Sequence, residues 1–474
     1  MTNWPRNLSQ TRGCASLPDG VTRRGRYAYR VRVLLVSTYE LGHQPLHVAS
    51  PAARLAAAGH DVSVTDVAVD PLVTEAISAV DAVAISVPMH TAMRLASDVI
   101  ASIRGRVPAM PIALYGLYAG MGDVGDVDRV IVGEYENDLV NWVDALAAGD
   151  PTSGMSTSLE RQRFLVPDRA ALPPLDSYAH LAIGDDHRVV GYVEASHGCR
   201  HRCRHCPLPA VYDGRFRIVD PEVVVTDIGR MVDQGARHIT FGDPDFFNGV
   251  AHAMKVLDLA HDTHPDLTFD ATIKVEHLLD HRDYLRALVD RGVLFVTSAF
   301  ETTNDEVLGL LDKGHTRADM VEALGLARDV GLEIHPSWLP FTPWTTVADV
   351  AEIFSFIDRF DLFEVTEPVQ LSIRLLIPKG SLMLDIDGID DRLEEYDDRA
   401  LTYRWRSVDP AVDDLQRALA ARAERAADSG EAPVTTLTDM WAMALKAAGN
   451  TDTEPQIPAG AITGRPRLTE PWFC

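Results

Sequence analysis

The stretch VVGYVEASHGCRHRCRHCP, Val189–Pro207, reads as a β-strand running directly into a loop that carries three cysteines. Its first part, Val189–Ser196, is a candidate strand. Cys199, Cys203 and Cys206 follow in C-x3-C-x2-C spacing. Three thiolates on one short loop can hold three irons of a cubane cluster and leave the fourth iron open to another ligand. Zinc is the competing reading. Closed zinc sites take four ligands, and His197, His201 or His205 could supply the fourth.

Downstream of this loop, further strand-sized apolar runs alternate with helical stretches. They are His238–Asp243, Thr268–Val275, Leu294–Glu301, Leu332–Leu339 and Val369–Ile377, separated by helices such as Asp283–Arg291 and Arg317–Val330. With the first strand these make a partial, open barrel of six βα units, too few for a closed eight-fold barrel. Beyond Pro378 the sequence turns helical and charged, clearest over Asp413–Ala427.

Upstream, Val31–Ser37, Asp61–Ala68, Ala82–Val87, Pro111–Gly116 and Arg129–Glu134 are five short strand patterns. Helical stretches at Pro45–Ala58, His90–Arg104 and Glu136–Ala147 lie between or after them. That alternation specifies βαβ units and a doubly wound parallel sheet, whose ligands lie beyond the carboxyl ends of the strands. The loops there are Thr38–Gln44, Pro88–Thr91, Leu117–Gly122 and Glu134–Glu136. The fold class is therefore α/β: an N-terminal doubly wound, flavodoxin-like parallel sheet, then a partial (β/α)6 TIM-type barrel and a small helical C-terminal region. The expected boundaries are a flexible leader at 1–30, a first domain at 31–150, a connector at 151–188, the barrel at 189–382, and the C-terminal region and tail at 383–474.

Composition narrows the function. The chain has 474 residues, 46% hydrophobic and 24% charged, with 44 Lys and Arg against 69 Asp and Glu, for a net charge of −25. A surface this acidic repels phosphate backbones and anionic lipid, so neither nucleic acid nor membrane is an expected partner. No apolar run approaches the ~20 residues of a membrane span, and the N-terminus lacks the apolar segment of a secretory signal. The expected location is cytoplasmic. Five cysteines in a chain of this length do not make a disulfide framework.

The three-cysteine motif after the first strand of a partial barrel resembles the radical SAM superfamily. The resemblance implies that Cys199, Cys203 and Cys206 ligate a [4Fe-4S] cluster. The open iron would be chelated by the amino and carboxylate groups of S-adenosyl-L-methionine (SAM), which one-electron reduction cleaves to methionine and a 5′-deoxyadenosyl radical. It also implies an external electron donor of flavodoxin or ferredoxin type. In that superfamily a Gly-rich turn after the second strand receives the methionyl amine; here the turn reads Gly242-Asp243-Pro244-Asp245, in place of Gly-Gly-Glu. By the same resemblance Gly242, Asp243, Asp245, Ser298 and Glu301 approach SAM. Lys274, with Glu276 and His277, follows the third strand at the barrel mouth. An aromatic wall of Trp338, Phe341 and Trp344 follows the fifth strand, and Arg374 and Lys379 could hold an anionic group.

A doubly wound domain ahead of such a barrel resembles the cobalamin-dependent class of the superfamily. The resemblance places cobalamin against Thr38, Ser86, Pro88, Gly116, Tyr118, Gly133 and Glu134. The loop Ser37–Leu46 contains His43 but lacks Asp-x-His-x-x-Gly, so the His-ligated form of the cofactor is not implied. The terminal RLTEPWFC, ending in Cys474, resembles radical SAM proteins with Cys-Cys-Ala-Glu-Pro or Cys-selenocysteine-Ala-Glu-Pro tails. That implies a tail thiol at Cys474 with selenocysteine following. The expected function is reductive SAM cleavage driving methyl transfer or radical rearrangement on a small molecule. A cluster-binding sensor without turnover and a zinc-stapled enzyme are the alternatives.

Overall fold

A computed structural model describes residues 30–122, 125–450, 455 and 464–469. The expected leader, Cys14 and the tail thiol Cys474 lie outside the described residues. The first sheet contains β1 (Arg32–Ser37), β2 (Asp61–Asp66), β3 (Ala82–Ser86), β4 (Ile112–Tyr115), β5 (Arg129–Gly133) and β6 (Gly154–Ser158), all parallel, in the order β2-β1-β3-β4-β5-β6. Alternate residues of one strand bury in opposite directions. Val33 and Leu35 pack under helices Leu46–Ala57 and Glu136–Ala147, whereas Leu34 and Val36 pack with helix His90–Arg106. Two-sided burial is why β1, β3 and β4 read as unbroken apolar runs. The sixth strand, β6, comes from the stretch assigned by sequence to the connector. It is a largely exposed edge strand of sequence GMSTS, with no apolar pattern to announce it.

The second sheet begins with a hairpin, β7 (His180–Ile183) and β8 (Asp186–Val193). A short pair, β9 (Ser196–Gly198) and β10 (Phe216–Ile218), then closes antiparallel around the cysteine loop. The parallel strands β11 (His238–Phe241), β12 (Thr268–Thr272), β13 (Val293–Glu301) and β14 (Glu333–Trp338) continue from β8. The sheet curls in the order β14-β13-β12-β11-β8-β7-β17, its last member being the two-residue strand Arg467–Leu468. This is an open half-barrel. The predicted sixth strand, Val369–Ile377, is instead a 3-10 turn over Pro368–Ser372 followed by a single parallel bridge from Arg374 to Phe341. Pro368 supplies no N–H and sets the turn, and only the following residues reach the sheet edge, where Leu375 N–H donates to the Phe341 carbonyl at 2.8 Å.

The C-terminal region is helical, as expected, but also contributes a hairpin, β15 (Leu393–Asp397) and β16 (Thr402–Trp405). Helices Pro410–Ser429 and Pro433–Ala447 pack against helix Val347–Arg359. The hairpin crosses to the first domain: Leu401 is buried in its core, Tyr396 Oη donates to the Met121 carbonyl at 3.2 Å, and His90 Nε2 lies 2.7 Å from the Ala400 carbonyl. Among the described residues no helix is long and apolar enough to cross a membrane.

The two sheets are joined by buried charge. His47 from the first domain lies 3.0 Å from Glu40 and 3.4 Å from Glu194, which follows β8. Glu194 also meets His197 at 3.4 Å, and His197 Nδ1 lies 3.3 Å from Glu134, at the end of β5. Burial alone would lower the His47 imidazole, but Glu40 and Glu194 more than offset it and raise it from 6.5 to about 9. A group raised on folding contributes stability that is complete below its unfolded value and lost as pH climbs through its folded one. Stability to urea is therefore expected to fall between pH 6.5 and about 9. The His47→Gln variant should show a flatter profile over that window, and identical profiles would remove His47 from the account.

Candidate active site

The cysteine loop is shaped by what precedes it. Gly198, directly before Cys199, has φ +77°, and a Cβ there would stand 2.5 Å from the Tyr212 ring and 2.6 Å from the Arg215 carbonyl. Only glycine lets the chain turn out of β9 at this point. Asn248 then brackets the turn, donating to the Gly198 carbonyl at 3.3 Å and accepting from Arg200 N–H at 3.1 Å. Arg204 N–H donates to the Leu311 carbonyl at 2.9 Å, which ties the far side of the loop to the segment after β13.

Cys199 and Cys203 are buried and Cys206 is half-buried; all three are free thiols. They line one cavity of about 520 Å³. Burial pushes the Cys199 thiol up to about 11 and the Cys206 thiol up to about 12. Such thiols are inert by themselves, and a bound metal is what converts them to thiolates. Three free, convergent thiols on a pinned loop beside an open cavity fit a cluster with one iron left for an external ligand.

The half-barrel delivers polar groups to the same cavity. Glu301 closes β13 with φ +64°, at a register shift against β14 that turns its side chain inward. Its Oε1 accepts from Lys313 Nζ at 2.9 Å and lies 3.0 Å from His205 Nε2. Burial would raise this carboxyl, but Lys313 and His205 hold it well below the usual range. Lys274 lines the cavity and pairs with Glu276 at 3.1 Å.

The other residues assigned to SAM from sequence lie behind this surface. Asp243 is enclosed, accepting from Ala195 N–H at 2.8 Å and Ser196 Oγ at 2.6 Å, and burial raises it to about 7. It fastens β11 to the strand leading into the cysteine loop. At Gly242 a Cβ would fall 1.9 Å from Tyr192 Oη, so a side chain is excluded by Tyr192. Asp245 is fully buried beside His277. Ser298 is fully buried, while its neighbours Thr297 and Ala299 line the cavity. The two-residue alternation of a strand requires this. Lys313, Thr272 and Thr297 were not singled out by sequence; alternation along β12 and β13 would have identified the two threonines.

The first domain reaches the same cavity through His90, Arg94 and Tyr118, from the loops after β3 and β4. Of the residues assigned to cobalamin, Tyr118 alone is among those lining it. Thr38 Oγ1 donates to the Ala92 carbonyl at 3.0 Å, and Ser86 is buried. Pro88 is part of the backbone against which Gly116 packs: a Cβ on Gly116, at φ +118°, would meet the Val87 carbonyl at 2.9 Å. A Cβ on Gly133 would meet the Ser158 carbonyl at 2.3 Å, and Glu134 accepts from Tyr212 Oη at 3.0 Å. Gly133 lets β5 and β6 approach within the first sheet, and Glu134 serves the joint with the second. His43 stacks on Tyr192 at 4.9 Å, and burial lowers it to about 4. Trp338 lines the cavity. Arg374 lies 3.4 Å over the Trp405 ring and pairs with Asp413 at 2.6 Å, and Lys379 sits 4.2 Å over the Tyr396 ring.

Comparison with known proteins agrees with this geometry. Residues 193–357 match the model of the radical SAM superfamily. The chain carries a radical SAM domain. The matched span begins at the end of β8 and includes all three cysteines, Glu301 and Lys313. The chain is 23% identical, over 304 residues, to an uncharacterized methyltransferase of Pyrococcus horikoshii, covering 60% of this chain and 62% of that protein. It is 22% identical over 255 residues to a bacteriochlorophyllide d C-8(2)-methyltransferase of Chlorobaculum tepidum, covering 50% of this chain and 53% of the relative. The chain thus spans less than two thirds of the length of either relative. Among solved structures, the cobalamin-dependent SAM radical enzyme OxsB aligns with TM-score 0.65 at 12% identity, covering 82% of this chain and 66% of that one. The radical SAM methyltransferase TsrM from Kitasatospora setae aligns with TM-score 0.59 at 18% identity, covering 74% and 75%. Both likenesses are of fold.

Proposed function

We propose that the chain is a cobalamin-dependent radical SAM methyltransferase acting on a small molecule, with its electron supplied by a flavodoxin- or ferredoxin-type protein in the cytoplasm. The observation that carries this reading is one shared cavity: Cys199, Cys203 and Cys206 line it from one side, and His90, Arg94 and Tyr118 from the doubly wound domain line it from the other. The related methyltransferases and the fold likeness to cobalamin-dependent radical SAM enzymes support it.

In this reading Cys199, Cys203 and Cys206 hold a [4Fe-4S] cluster, and Lys274 and Glu301 meet the polar groups of SAM. The bound cluster with SAM supplies a 5′-deoxyadenosyl radical, and cobalamin supplies the methyl group. The chain's own work is positioning and protection. Lys313 and His205 keep Glu301 ionised and fixed in direction. Trp338, Leu339 and Leu375 give the cavity an apolar wall that excludes water and competing hydrogen donors.

Cobalamin retention tests the part of the reading that rests on the first domain. Anaerobically purified chain incubated with hydroxocobalamin is expected to keep a stoichiometric amount through gel filtration. Tyr118→Ala should weaken that retention. A wild-type chain that keeps none would remove cobalamin from the proposal.

A further inference from the structure

Behind the cysteine loop lies a group of side chains that the proposed function does not use. His201, Asp245 and His277 come from three different places: the loop between Cys199 and Cys203, the turn after β11, and the helix Val275–Asp280 after β12. His201 Nε2 stands 3.0 Å from His277 Nε2 and 3.8 Å from Asp245 Oδ2, and His277 Nδ1 stands 2.7 Å from the same Oδ2. One donor atom from each of the three lies within 4.8 Å of the others.

The burial of this group points to a ligand. Asp245 and His277 are both fully buried. Asp245 Oδ1 accepts from Phe247 N–H at 3.2 Å, but Oδ2 and the His277 Nδ1 beside it are not aligned for a hydrogen bond and have no other partner. A carboxylate oxygen enclosed without a donor costs several kcal/mol unless a cation answers it. Lys274, the nearby ammonium, is directed to Glu276. Ligands held ~2.1 Å from a tetrahedral ion stand about 3.4 Å apart. His277 gives the ion one nitrogen, either Nδ1, 2.7 Å from Asp245 Oδ2, or Nε2, 3.0 Å from His201 Nε2. His201 Nε2 stands 3.8 Å from Asp245 Oδ2.

We propose that His201, Asp245 and His277 form a second metal site, distinct from the three thiols, that takes a divalent first-row transition ion of the zinc type. Two imidazoles and one carboxylate are a donor set for Zn²⁺ or Fe²⁺, and three protein ligands leave a coordination position open. His201 lines the cavity whereas the other two ligands lie behind it, so the open position faces the cavity. There it can take water or an oxygen or nitrogen of a substrate. The ion would also tie the middle of the cysteine loop to β11 and β12.

The test separates this site from the cluster. In the full chain carrying Cys199→Ser, Cys203→Ser and Cys206→Ser, Co²⁺ is titrated in excess Mg²⁺, which masks the acidic surface. The expected result is one saturable Co²⁺ with visible d–d absorption and no thiolate charge-transfer band. Adding His277→Gln or Asp245→Asn should weaken binding by about ten-fold or more. No saturable binding by the folded triple variant, or binding unmoved by His277→Gln, overturns the proposal. If circular dichroism shows the triple variant unfolded, the reconstituted wild-type chain is compared with His277→Gln for zinc retained after gel filtration. One zinc beyond the iron content is expected in the wild type alone, and equal zinc in both overturns the site. Because the first measurement uses a chain without the three thiols, its outcome is independent of whether SAM is cleaved.

Discussion

Replacing Lys313 by Met is expected to destabilise the chain by ~3–5 kcal/mol, read from urea unfolding. The side chains of Lys313 and Glu301 are only 4% and 9% exposed, and the ammonium is the main counter-charge to a carboxylate held at positive φ. Removing it leaves Glu301 buried with His205 as its remaining partner. The loss is the penalty of an uncompensated charge, not the net worth of the pair. Glu301→Gln should therefore recover much of the stability when added to Lys313→Met, although alone it is destabilising. A double-mutant cycle measures that coupling. If the two losses simply add, the pair is not the unit described here. Lys313 also lies close enough to the thiols to lower the charging cost of Cys206, so its loss should reduce iron retention even where the fold survives.

The second large effect is expected far from the cavity. Arg169, in the connector, is buried and binds Asp227 in a two-pronged pair at 2.9 and 2.8 Å. The same guanidinium donates to Gln44 of the first domain at 3.1 Å and to the Tyr192 carbonyl of β8 at 2.8 Å. One side chain thus ties the first domain, the half-barrel sheet and the helix Pro221–Asp233 together. Arg169→Ala is expected to cost ~3–5 kcal/mol, since it strands Asp227 in a site where its side chain is 3% exposed. Arg169→Lys should rescue little, because an ammonium cannot reproduce the planar fork. A loss below ~1 kcal/mol for Arg169→Ala would mean that surface-like screening governs this pair.

These two clamps illustrate what the sequence conceals. The central strands of both sheets are legible because burial on two faces leaves continuous apolar runs, as in Val33–Val36 and Ala82–Ile85. The cysteines are legible because the chemistry fixes their spacing. Arg169 with Asp227, and His47 with Glu194, join residues far apart in the chain, and no local pattern marks either pair. Strand β6 is hidden for the opposite reason: an exposed edge strand needs no apolar residues. Alternation along β13 places Thr297 and Ala299 on the cavity and buries Ser298 between them. Asp243 and Asp245 are carboxylates in the turn where the resemblance expects one, but in the structure the first fastens a loop and the second faces two histidines.

The most direct measurement is 5′-deoxyadenosine formation by the anaerobically reconstituted chain with SAM and a strong reductant. The control is the variant carrying Cys199→Ala, Cys203→Ala and Cys206→Ala. The account predicts a brown, iron-containing protein that yields 5′-deoxyadenosine, and a colourless control that yields none. A wild-type chain that binds zinc in place of iron at these cysteines, or product unchanged in the control, would contradict it.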